Sequence, residues 1–172
     1  LGCGRIRVGH VKILVTTPIP APGMDILAAA GEGEGLAVDH AGLKERCASG
    51  EYSVVVSQLR DRFDAELLES ARITGISNYA VGYDNIDLTA AASRGISVTN
   101  TPGVLTEAVA ELTWGMILSV TRRMAEGDRL IRRNDWKGWA LDFMLGMELS
   151  GKQLGIIGSG RIGRAVAARA PA

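Results

Sequence analysis

The residues best placed for chemistry are the glycines of Gly158-Ser-Gly160-Arg-Ile-Gly163. They follow the apolar run Gln153–Ile157 and precede Arg164–Ala170, a good helix former closed by Pro171. A GxGxxG between a strand and a helix is the turn that holds a dinucleotide. Gly158 permits the tight turn, Gly160 lets backbone approach a pyrophosphate, and Gly163 lets the helix pack closely on the strand. N–H groups around Ser159, Arg161 and Ile162 would face the phosphates. Without that context the pattern is unspecific, since the chain holds 22 glycines, and a glycine turn without a ligand is the alternative. The residue that selects NAD or NADP is expected about 20 positions further on. Only nine residues follow Gly163. Cofactor choice is therefore not legible, and this end reads as a nucleotide domain cut off after its first strand–helix step.

Other reactive side chains are sparse. The two histidines are His10 and His40, and both read as surface or capping residues. Asp84 and Asp87 are close enough to suggest paired carboxylates, but Asp87 is better explained as a helix N-cap and Asp84 as a loop residue. Cys3 and Cys47 have neither disulfide nor zinc spacing, and no metal site is expected. No catalytic side chain is assigned within the chain.

Composition narrows the function classes. Nineteen basic residues balance nineteen acidic ones, so a general grip on nucleic acid or an anionic membrane has no support. The basic stretch from Arg122 to Lys137 is interleaved with Glu126, Asp128 and Asp135, as on a solvated face. No run of about 18 apolar residues exists to span a membrane. Leu1–His10 lacks a signal-peptide core and reads as a loose tail. Cytoplasm is the expected address.

The elements that must position the glycine turn follow a regular alternation. Strands are expected at Lys12–Thr17, Leu36–His40, Tyr52–Ser57, Ile73–Tyr79 and Ile96–Asn100. Helices are expected at Met24–Ala30, Gly42–Ser49, from Asp64 to Arg72 and at Leu88–Arg94. Such alternation specifies parallel βαβ units and an α/β, doubly wound, flavodoxin-like domain over 11–101. A long helix over Leu105–Arg123 follows, with a broad apolar stripe through Val109, Leu112, Met116 and Val120. That stripe suits burial between domains or between chains. Asp128–Trp136 allows a short helix, and Trp136 and Trp139 read as packing residues. Residues 102–172 thus comprise a connecting helix and the start of a Rossmann domain.

Two runs make a wider resemblance. Asn78-Tyr-Ala-Val-Gly-Tyr-Asp-Asn-Ile-Asp87 and Gly95-Ile-Ser-Val-Thr-Asn-Thr-Pro-Gly-Val-Leu-Thr106 resemble the D-isomer-specific 2-hydroxyacid dehydrogenases, especially glyoxylate/hydroxypyruvate reductases. Trp136-Lys-Gly-Trp139 and Leu154–Gly163 extend the match. The resemblance implies a substrate domain followed by a Rossmann domain, and NAD or NADP as cofactor. It implies that backbone at Val81 and Gly82 holds a 2-keto or 2-hydroxy acid's carboxylate, with Gln58 and Leu59 lining the same cleft. Thr106 would contact the cofactor near its nicotinamide, and Gly158 to Gly163 its pyrophosphate. Helix 105–123 would join two copies as a homodimer. The family's catalytic Arg, Glu and His lie downstream of the glycine turn and have no counterpart here. These 172 residues alone are therefore expected to be inactive. A dinucleotide-sensing regulatory protein of the same fold is the alternative reading.

Overall fold

The computed structural model describes residues 11–35 and 38–170. The expected tail, with Cys3 and His10, lies outside them, as do Leu36 and Ala37. The chain divides into two compact units, Leu1–Pro102 and Gly103–Ala172.

In the first unit, β1 (Lys12–Val15) is a β-branched, buried run. It stops two residues before the expected Thr17, yet Thr16 N–H still donates to Val56 O at 3.1 Å. Helix α1 (Ala21–Ala30) begins three residues ahead of Met24, with proline in its first turn. Proline suits that turn, where its missing N–H would have had no helical partner.

Strand β2 corrects the sequence reading. It is Glu32–Gly35, paired parallel to β1, in place of the expected Leu36–His40. Glu32-Gly-Glu-Gly35 carries no apolar signal, so periodicity misses it. Its glutamate Glu34 adds polar contacts to the ladder. Tyr52 Oη donates to Glu34 at 2.6 Å, and Lys12 Nζ pairs with Glu34 at 3.4 Å and with Glu51. The Tyr52 hydrogen bond, with Lys12 beside it, holds the Glu34 carboxyl below its ordinary range. The hydrogen bond to Glu51 raises Lys12. Burial, then the Glu34 bond, raises Tyr52.

His40 opens α2 (His40–Ser49) instead of ending a strand, because Asp39 caps that helix by accepting from Gly42 N–H at 2.8 Å. Gly50, at φ 78°, ends it in the left-handed region, which a side chain resists. Next come β3 (Val54–Ser57), α3 (Ala65–Ser70), β4 (Gly75–Asn78), α4 (Leu88–Ser93) and β5 (Ser97–Thr99). Asp64 and Asp87 cap α3 and α4, accepting from Leu67 N–H at 3.0 Å and Ala90 N–H at 2.9 Å. The paired-carboxylate alternative for Asp87 is thereby replaced by capping.

The five strands are parallel in the order β2-β1-β3-β4-β5. That order is the flavodoxin-like doubly wound sheet. Helix α2 packs on α3 and α3 on α4, while α1 lies along β2. Leu14, Val55, Phe63, Leu67, Leu68 and Ile76 anchor the core. Cys47 belongs to it, and burial pushes its thiol up to about 12, so it is an inert core residue.

The second unit holds α5 (Thr106–Thr121), α6 (Met124–Arg132) and α7 (Arg161–Ala167). The single helix expected over Leu105–Arg123 ends sooner, because Arg123 adopts φ 56° and starts a second helix. That helix is α6, displacing the one expected at Asp128–Trp136. Arg123 is tied to Glu126 at 2.6 Å, and Asp128 to Arg132 at 2.9 Å. Helix α5 packs on α7, and Trp114 Nε1 donates to Val166 O at 3.0 Å. Of α5, only Ala110 is buried; Leu112 is 62% and Val120 78% exposed. The described residues of this one chain leave the stripe uncovered. Trp136 and Trp139 are also exposed, contrary to their reading as packing residues. The expected strand Gln153–Ile157 forms no ladder, since a strand without a hydrogen-bonded neighbour has nothing to define it.

Candidate active site

A doubly wound sheet presents ligands with the crevice outside the carboxyl ends of its strands, where strand order reverses. Here the order reverses between β1 and β3. Their carboxyl ends lead to Thr16 and to Gln58–Leu59, and β4 leads next door to Tyr79–Gly82.

These strand ends carry the buried polar residues of the unit. Thr16, Ser57 and Asn78 are fully buried and Asp61 nearly so. Asp61 Oδ2 accepts from Gln58 N–H at 2.8 Å and from the Thr16 hydroxyl. Asn85 Nδ2 donates to the carbonyls of Gln58 at 3.3 Å and Asp61 at 2.8 Å. Asn78 Oδ1 accepts from Ser57 Oγ at 3.0 Å, and its Nδ2 donates to Gly82 O at 2.8 Å. Buried polar groups need such partners, and among the described residues no buried side-chain polar atom lacks one.

The network fastens the two loops side by side. A Cβ placed on Gly82 would stand 3.6 Å from Leu59 Cδ2, so Gln58–Leu59 and Val81–Gly82 adjoin. Leu59 is exposed, and Gln58, Val81 and Gly82 are half-buried. Among the described residues, the N–H groups of Val81 and Gly82 meet no acceptor. Two free backbone donors beside an apolar side chain can take a small anion.

His40 lines a cavity of about 600 Å³ with Val38, Leu43, Arg60, Asp61 and Arg62. Its Nε2 lies 3.6 Å from Asp64 Oδ2. Arg60 donates to Thr17 Oγ1. Among the described residues no His, Cys, Asp and Glu group fits a metal ion, and no helix is long and apolar enough to cross a membrane.

The glycine turn lies in the second unit, and its three glycines differ physically. Gly158 has φ 94°. A Cβ at Gly163 would collide with the Gly158 carbonyl oxygen. A Cβ at Gly160 would meet nothing within 4 Å, leaving backbone open to a ligand. Ser159, Arg161 and Ile162 are exposed around it. Thr106 opens α5, half-buried, its N–H donating to Gly103 O at 3.2 Å.

Sequence reasoning missed Thr16, Asp61, Asn85 and Asn100, and gave Asn78 no role. The available signal was a polar residue at the carboxyl end of a strand run, as at Thr16 and Asn78.

The sequence model of a family described as "D-isomer specific 2-hydroxyacid dehydrogenase, catalytic domain" matches residues 13–166. A glyoxylate reductase of Thermococcus litoralis is 50% identical over 125 residues, covering 70% of this chain and 38% of that protein. One of Thermococcus onnurineus is 39% identical over 166 residues, covering 92% of this chain and 50% of the other. The crystal structure of the TT0316 protein from Thermus thermophilus superposes with a TM-score of 0.86 at 42% identity, covering 94% of this chain and 53% of that one. The chain spans about half the length, or less, of the curated relatives it matches.

Proposed function

This chain belongs to the D-isomer specific 2-hydroxyacid dehydrogenase family, and we propose from that premise that the whole protein reduces glyoxylate or hydroxypyruvate to the 2-hydroxy acid with NADH or NADPH. The observation that carries the reading is the pair of free N–H groups at Val81 and Gly82, beside Leu59 and Gln58. They bind the substrate carboxylate, and the Leu59 side chain shields it from water. The open backbone at Gly160 and the close approach at Gly163 fit a dinucleotide's pyrophosphate. Gly158, Ser159, Gly160, Arg161, Ile162 and Gly163 would hold it, with Thr106 toward the nicotinamide. When bound, the reduced nicotinamide supplies hydride for the 2-oxo carbon. A proton must also reach the new hydroxyl from a donor of near-neutral pKa. His40 contacts Asp64 at 3.6 Å and not the Val81–Gly82 turn, and the expected outcome for the 172 residues alone is no turnover.

Glyoxylate assayed with NADH and NADPH tests this. The whole protein consumes reduced nicotinamide, and the 172-residue chain stays at the no-enzyme rate. Turnover by the chain alone, or no 2-oxo acid accepted by the whole protein, overturns the reading. The exposed stripe over 105–123 is the homodimer face, and the enzyme is cytoplasmic. Met116→Asp should shift the sedimentation coefficient of the whole protein to a monomer's; an unchanged value removes that face from the interface.

A further inference from the structure

Three consecutive carbonyls in the candidate carboxylate turn each accept a hydrogen bond from within the first unit. Ala80 O accepts from Thr101 N–H at 2.9 Å. Val81 O accepts from Asn100 Nδ2 at 2.8 Å. Gly82 O accepts from Asn78 Nδ2 at 2.8 Å. The donors come from the carboxyl end of β4 and the residues just after β5. No peptide among the described residues is cis, and in a trans peptide the N–H points opposite to its C=O. Anchoring the carbonyls of residues 80, 81 and 82 therefore turns the N–H groups of Val81, Gly82 and Tyr83 each away from the donor that grips its own peptide. None of the three meets an acceptor among the described residues.

The Asn78 amide cannot be reversed in this role. Gly82 O only accepts, so Nδ2 must face it, and Ser57 Oγ then donates to Oδ1 at 3.0 Å. Asn78 Nδ2 also reaches Asn85 Oδ1 at 3.2 Å, so both amide protons are used. Asn100 is half-buried and its Nδ2 serves Val81 O.

We propose that Asn100 and Asn78 are positioning residues that hold the Val81 and Gly82 carbonyls, so that the N–H groups of Val81, Gly82 and Tyr83 stay free as three donors for the substrate carboxylate. The inference rests on the proposed 2-oxo acid reduction. It adds Tyr83 N–H as a third donor and explains what aims the other two. Neither asparagine touches the substrate.

The test uses the whole protein with Asn100→Asp and Asn100→Leu, both close to the native size and both lacking the donor, the second without adding a charge near the carboxylate. Asn78→Asp is the third variant. Steady-state kinetics are measured with glyoxylate and with the nicotinamide cofactor varied in turn, and oxamate serves as an unreactive carboxylate probe. The expected result for Asn100→Leu, as for Asn100→Asp, is a glyoxylate KM raised about tenfold or more, oxamate inhibition weakened in parallel, and an unchanged KM for the cofactor; a change in Asn100→Asp alone is charge repulsion and overturns the proposal. Lost activity at unchanged glyoxylate KM and oxamate inhibition, tracking a lower folded fraction, is the signature of a merely structural role and overturns the proposal. Unaltered kinetics in Asn100→Asp overturn it too, whatever becomes of the more buried Asn78→Asp. If the wild-type protein neither reduces glyoxylate nor binds oxamate, the functional reading fails and this proposal with it. A wild-type enzyme with indifferent variants defeats the positioning role alone.

Discussion

The two units bury their apolar residues very differently. In Leu1–Pro102 the sheet and α2, α3 and α4 close over a continuous core that includes Phe63, Leu67 and Leu68 at zero exposure. In Gly103–Ala172 the buried residues among those described are Ala110 and Val166, while Leu112, Met116, Val120, Trp139 and Ile157 stand exposed. Both units carry family motifs of similar clarity. A recognisable motif therefore does not imply a closed core: the glycine turn keeps its local shape through contacts between near neighbours in the chain, whereas a core requires covering elements.

Substitution in the cores gives the largest contrast. Phe63→Ala should cost the first unit about 3–5 kcal/mol, read as a lowered midpoint in denaturant unfolding. Leu141→Ala, at a side chain 80% exposed and off the 105–123 stripe, should change the second unit by no more than about 0.5 kcal/mol. Equal losses would break the contrast between them.

The glycine turn should show the next largest effect. Gly163→Ala places a methyl against the Gly158 carbonyl and should cost about 1–3 kcal/mol of local stability, together with dinucleotide binding. Gly160→Ala meets open space. It should leave the melting temperature unchanged while weakening NADPH binding, measured by nicotinamide fluorescence. A Gly160→Ala protein that binds NADPH like wild type would show that no ligand approaches that backbone.

Helix caps come next. Asp64→Ala and Asp87→Ala should each cost about 1 kcal/mol, because each frees an N–H at the start of a six-residue helix. Thermal unfolding of single and double variants checks this.

The smallest effect is local and depends on pH. Glu34 is held below its ordinary 4.5 by its Tyr52 hydrogen bond. Its contribution is complete above that value and is lost as pH falls through the lowered one. Lys12 and Tyr52 are raised above 10.5 and 10.0. Their contributions are complete below those values and are lost as pH rises through the raised ones. The amides of Glu32–Gly35 should thus lose exchange protection, corrected for intrinsic rate, at both extremes, with β3 protected throughout. Loss of β2 and β3 protection together would mean that the edge strand has no separate fastening.

Much of the first unit was legible in order of elements, because β-branched runs, prolines and aspartate caps act over about four residues. Val54–Val56, Asp64 and Asp87 are such cases. Strand β2 was not, since Glu32-Gly-Glu-Gly35 is held by Tyr52 and Lys12 from other strands or loops. The left-handed backbone at Arg123 and the helix it starts were equally hidden, for Arg122-Arg-Met124 carries no glycine or proline to mark a turn. At the candidate site, Val81, Gly82 and the glycine turn were legible through resemblance. The network of Thr16, Asp61, Asn78, Asn85 and Asn100 was not, because its partners lie up to 45 residues apart.

By itself, then, the amino-acid sequence determined the parallel α/β class, the family and the turn that offers backbone donors. Hydrophobic pattern, capping and glycine content are properties of neighbours along the chain. Only the tertiary structure decided which way those donors face. A peptide's direction depends on what grips its carbonyl, and here the grip comes from Asn78, Asn100 and Thr101, brought to one turn by the adjacency of β4 and β5.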